Sequence, residues 1–61
     1  MTKSKAYKIL DNLIEKNTET NPVFFVSIDI GLKLEDQYKG IEIIKTNTLP
    51  KRTAFIASGI N

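Results

Sequence analysis

Between Phe24 and Leu34 every second residue is large and apolar: Phe24, Val26, Ile28, Ile30, Leu32 and Leu34 alternate with Phe25, Ser27, Asp29, Gly31 and Lys33. Successive side chains on a strand point to opposite faces, so this alternation predicts a strand over residues 23 to 34 with one wholly apolar face. At the usual rise per residue it would extend to about 40 Å, which is long for a chain of 61 residues. Gly31 is the place where a bulge or bend would curl it over its covering layer. The alternative is a strand that projects and pairs with another chain.

Upstream, residues 4 to 17 read as a helix. Ala6, Ile9, Leu10, Leu13 and Ile14 recur at the spacing of one apolar helix face, with Tyr7 beside the stripe. Thr2 or Ser4 supplies an N-cap oxygen, and Asn17 suits a left-handed C-terminal position. Asn21-Pro22 bars continuation, because the residue before proline is driven toward extended geometry. Downstream, Glu35 to Gly40 is a polar turn and Ile41 to Thr46 a second strand, with Ile41 and Ile43 opposite Ile44. Asn47 to Lys51 forms another turn, and Arg52 to Ser58 a third strand with Ala54 and Ile56 opposite Phe55 and Ala57. The simplest assembly is a single α+β domain spanning residues 1 to 61. Its N-terminal amphipathic helix packs on a three-stranded antiparallel sheet in an α-β-β-β meander.

Composition narrows the chemistry. The chain has no cysteine and no histidine, which removes disulfides, thiolate metal sites and the commonest zinc ligand and general base. Hydrophobic residues at 41% and charged residues at 26% are ordinary for a folded protein. A domain this small buries only about 60% of its unfolded surface, so association with a second copy or a partner is expected. No apolar run approaches the roughly 20 residues of a membrane span, and the N-terminus leads into an amphipathic helix instead of a signal core; a cytoplasmic protein without membrane contact is expected. The abundance of Ile, Lys and Asn fits an AT-rich coding sequence of the kind found in phages and other mobile elements.

Ser27-Ile28-Asp29-Ile30-Gly31 resembles the opening strand of RNase H-like nucleases and actin-like ATPases, where the aspartate holds a divalent metal. Those folds need further strands, helices and metal-binding acids, for which this length leaves no room. Asp29 is therefore expected on the polar strand face, pairing with Lys45 or Arg52. Glu35 and Asp36 sit in a turn, and Asp11 with Glu15 lacks a third ligand. No metal, cofactor or catalytic constellation is expected, and the chain reads as a non-enzyme.

What remains is surface. One helix cannot cover both sides of a sheet, so Val23, Phe25, one side of the second strand and Phe55 are left on the uncovered face. The leading expectation is a protein-interaction module, such as a mobile-element inhibitor or adaptor, that self-associates and contacts a macromolecular target. Phe25 and Phe55 would be its apolar anchors, Tyr38 the hairpin tip, and Lys51 and Arg52 the polar rim. A second reading is single-stranded nucleic-acid binding by Lys39, Lys45, Lys51 and Arg52 with Tyr38 and Phe25 as stacking platforms, compatible with a net charge of +2. A third is a small anionic ligand held between subunits near the helix start. There Lys3, Lys5 and Lys8 precede Asp11, Glu15 and Glu19, the reverse of what the helix dipole favours.

Overall fold

The computed structural model describes residues 2–59. Helix α1 spans Lys3–Glu15, followed by strand β1 (Pro22–Ser27), a single helical turn α2 (Ile28–Gly31), and strands β2 (Gln37–Tyr38), β3 (Ile41–Thr46) and β4 (Ala54–Ser58). The α+β class and the N-terminal helix agree with the sequence reading. The sheet is four-stranded and mixed, in the order β2-β3-β1-β4, and this replaces the three-stranded antiparallel meander.

Helix α1 begins where Thr2 caps it: the Thr2 hydroxyl accepts the Lys5 N–H at 3.2 Å. Its stripe is the one the spacing predicts, with Ala6 and Leu10 fully buried and Tyr7, Ile9, Leu13 and Ile14 packed around them. The helix finishes tightly, the Asn17 N–H donating to the Ile14 carbonyl at 3.1 Å. Asn17 is not left-handed, contrary to expectation; its carboxamide oxygen instead accepts the Glu19 N–H at 2.8 Å, a local turn that redirects the chain. Asn21, expected to be extended, takes the left-handed conformation at φ 51°, which asparagine tolerates.

The largest departure is at Ser27. The strand expected to run to residue 34 stops there and winds into α2, the Leu32 N–H donating to the Ile28 carbonyl at 2.9 Å. Phe24, Val26, Ile30 and Leu34 are buried as the alternation requires, whereas Ile28 is 42% and Leu32 79% exposed. Topology follows from this stop. Parallel strands need a crossover of about a dozen or more residues, usually containing a helix. Residues 28–40 provide one, and β1 and β3 pair in parallel with Phe24 opposite Ile43 and Phe25 opposite Ile44. Had β1 continued to Leu34, only the turn at 35–40 would have remained, and a hairpin would have been the only connection. β4 then joins the other side of β1 antiparallel, Phe24 opposite Ile56 and Phe25 opposite Phe55. It begins at Ala54 instead of Arg52.

Register sorts the faces. Phe24, Val26, Ile43, Ala54 and Ile56 meet α1 and, with Ile30 and Leu34, form the core. Each fully buried side chain of this size contributes about 1.5–3 kcal/mol relative to exposure. The thinnest dimension, 17 Å, is that of one helix layer on one sheet layer, so among the described residues no element covers the second sheet face. None of the described helices is long and apolar enough to cross a membrane.

Candidate functional site

The uncovered face is centred on Phe25. As the middle-strand residue it has Ile44 on one side and Phe55 on the other. The Phe25 and Phe55 rings stack with centroids 5.3 Å apart and planes 17° apart. Such offset pairs are preferred by the ring quadrupoles and leave one flat aromatic surface. Val23 and Ala57 continue the apolar area along β1 and β4, and alternation along β3 adds Glu42 and Thr46 to the same side as Ile44. Phe55 is 41% exposed, unusual for phenylalanine in a domain with so little core. At the end of this face lies an open concavity of about 530 Å³, whose walls combine apolar Val23, Phe25, Ile41 and Ile44 with Glu42 and the polar backbone around Asn21 and Gly59. Its floor is pinned by the Gly59 N–H, which donates to the Asn21 carbonyl at 2.6 Å.

The other expected contact residues do not gather there. Tyr38 lies in β2, next to the Lys39-Gly40 turn whose positive φ values of 51° and 78° form a tight two-residue hairpin into β3. Its ring packs 4.7 Å from Tyr7, and its hydroxyl donates to Asp11 at 2.9 Å. Lys39 donates to the same Asp11 oxygen at 3.1 Å and lies 5.3 Å from the Tyr38 ring centroid. The Lys39 and Tyr38 hydrogen bonds hold the Asp11 carboxyl below the usual carboxylate range, and Asp11 in turn raises Tyr38 and Lys39 above theirs. Tyr38 and Lys39 therefore fasten the hairpin to α1, and the charges of α1 that oppose its dipole are partly answered by this cluster.

Lys45 falls on the helix side of the sheet, opposite Val26, and not among phosphate-facing lysines. Its ammonium donates to the Leu34 carbonyl at 2.8 Å and lies 3.7 Å from Asp36, while its stem runs across Gly31. Lys51 and Arg52 sit in the β3–β4 connection, both exposed. Arg52 is left-handed at φ 59°. Its backbone N–H, not its guanidinium, meets Asp29, at 3.0 and 3.2 Å from the two carboxylate oxygens. Lys3, Lys5 and Lys8 are exposed on α1, far along the chain from the other bases.

Asp29 is thus a structural acceptor and not half of a Lys45 or Arg52 ion pair. The Ser27 hydroxyl, joined by the Arg52 N–H, holds its carboxyl below the ordinary range against desolvation, which is weaker than the Ser27 bond. Ser27 is buried; it donates its N–H to the Thr53 carbonyl at 2.8 Å and accepts the Thr53 N–H on its hydroxyl at 3.2 Å, extending the β1–β4 ladder by one side-chain rung. Among the described residues no group of three or more acids could hold a metal ion. Sequence reasoning missed this Ser27–Asp29–Arg52–Thr53 lock and the placement of Glu42. The N-capping character of Ser27 and an acid two residues later were the signals present for the first. No family model matches the chain, and neither a curated protein nor a solved structure is significantly similar to it.

Proposed function

We propose that the protein is a non-catalytic interaction module whose uncovered sheet face receives a protein segment carrying an apolar side chain beside a basic one. The observation that carries this reading is the stacked Phe25–Phe55 pair beside Ile44 with an acid, Glu42, at its border. A rigid aromatic surface flanked by a concavity suits an apolar anchor, and Glu42 favours a cation next to it. Polyanion binding is less well supported, since Lys39, Lys45 and Tyr38 are each held by a partner in the same chain. A role in catalysis is likewise less well supported: of the best-placed acids, Asp29 has both carboxylate oxygens on the Arg52 N–H, and Asp11 has one oxygen on Tyr38 and Lys39.

Selection from a random peptide library tests the reading. Recovered sequences should pair Phe, Leu or Ile with an adjacent Lys or Arg. Calorimetry on one such peptide should show affinity falling at least about tenfold, or 1.4 kcal/mol, in Phe25→Ser, with Glu42→Gln weaker by a smaller factor. Failure of any apolar-basic sequence to enrich would overturn it. So would tight, salt-sensitive binding of a labelled single-stranded oligonucleotide, which would favour the nucleic-acid reading instead.

A further inference from the structure

The two edges of the sheet are built differently. On the β2 side the edge is a two-residue strand flanked by Glu35, Asp36 and Lys39, and α2 with Leu34 lies against the rest of β3. Short length and charge are the usual ways of blunting an edge. On the other side β4 reads Ala54-Phe55-Ile56-Ala57-Ser58, with no charge, no proline and an unbroken register against β1. Its ladder phase is fixed by the Ser27 N–H to Thr53 carbonyl and Gly59 N–H to Asn21 carbonyl bonds. Residues 53, 55, 57 and 59 therefore turn their backbone groups toward β1, and Ala54, Ile56 and Ser58 turn theirs outward.

We infer that β4 pairs antiparallel with β4 of a second copy across a two-fold axis at Ile56, joining two sheets into one. This pairing sets Ile56 against Ile56 of the partner subunit and Ala54 against Ser58 of the partner subunit, every outward N–H meeting a carbonyl. Phe55 then lies beside Ala57 of the partner subunit, large against small, so the apolar faces of both copies become continuous. Charge selects the same arrangement. Lys51 and Arg52 precede β4 and outweigh the Asp29 carboxylate that accepts the Arg52 N–H, while the far end of β4 is bonded to Asn21, two residues from Glu19. Antiparallel pairing brings the basic end of one copy to the acidic end of the other, whereas parallel pairing would align the bases. The dimer uses the edge and leaves the Phe25 face free, so it stands or falls separately from the proposed peptide site.

Light scattering on size-exclusion fractions should give twice the 6.9 kDa chain mass at high protein concentration. Ser58→Pro removes an outward N–H without touching the β1 ladder and should return the mass to that of one chain, with Ser58→Thr dimeric. Phe25→Ser should remain dimeric while losing peptide binding. Amide exchange supplies a second readout on the native chain. Among the described residues the Ile56 N–H meets no acceptor, so its protection should rise with protein concentration. A monomer at all concentrations, an unaltered dimer in Ser58→Pro or a freely exchanging Ile56 amide would overturn the inference. Loss of the dimer in Phe25→Ser but not in Ser58→Pro would place the contact on the face instead.

Discussion

Gly31 carries a requirement that its place in a short helical turn conceals. Alanine is the better helix former by about 1 kcal/mol, and Gly31 has no positive φ to protect. Yet a Cβ there would stand 2.7 Å from Cγ, 2.9 Å from Cδ and 3.0 Å from Cβ of Lys45. Those atoms are the base of the lysine stem, whose tip is fixed on the Leu34 carbonyl, so the stem cannot swing clear without breaking that bond. Overpacking of this kind costs about 1–3 kcal/mol and should outweigh the propensity gain. Gly31→Ala is expected to lower the urea midpoint of the wild type and to cost less in a Lys45→Ala background, where Cγ and Cδ are gone and only the 3.0 Å approach to Cβ remains. A double-mutant cycle with no coupling between the two sites would contradict this account. The sequence displayed Gly31 and Lys45 without their relation, because only the parallel crossover brings them together.

At the scale of elements, the alternation from Phe24 to Leu34 was legible as burial and misleading as structure. Every fourth residue of a helical turn is also an even-numbered residue, so Val26, Ile30 and Leu34 satisfy strand and helix periods alike. The two readings differ only at Ile28 and Leu32, buried in the first and exposed in the second. Ser27, whose hydroxyl serves Thr53, and Asp29, whose carboxylate serves Arg52, fix the choice through partners more than twenty positions away. No local propensity could have announced those bonds. The distinction is measurable. Leu32→Ser should change unfolding free energy by no more than about 0.5 kcal/mol, as exposed sites do, whereas Ile30→Ala should cost about 2–5 kcal/mol as a fully buried truncation. Comparable losses at both positions would return β1 to a continuous strand.

At the scale of the whole molecule, class and helix were readable from periodicity, whereas strand order was not. Strand order depends on crossover length, and one misplaced strand end converted a parallel pair into an expected hairpin. The uncovered face survived that error because side-chain parity in β1, β3 and β4 does not depend on which strands are neighbours. What ties the hairpin to the rest of the molecule is the Asp11–Tyr38–Lys39 cluster, and pH reports on it directly. Asp11 and Asp29 are lowered in the folded state; their contribution is present above the unfolded carboxylate value of about 4 and is lost as pH falls through the folded values. Tyr38 and Lys39 are raised; theirs is complete below about 10 and disappears as pH climbs through the folded values. Thermal midpoints should therefore be flat from about pH 5 to about pH 9 and fall on either side. Because both alkaline shifts come first from the hydrogen bonds to the Asp11 carboxylate, with its charge adding to them, Asp11→Asn, which weakens those bonds and removes the charge, should lower the plateau and reduce the Tyr38- and Lys39-linked decline above it. A reduced acid limb should persist through Asp29. The groups are exposed, so the differences should shrink in high salt. An Asp11→Asn profile parallel to the wild type at both ends would mean that the hairpin is held by the Tyr7–Tyr38 ring contact alone and that the carboxylate is incidental to it.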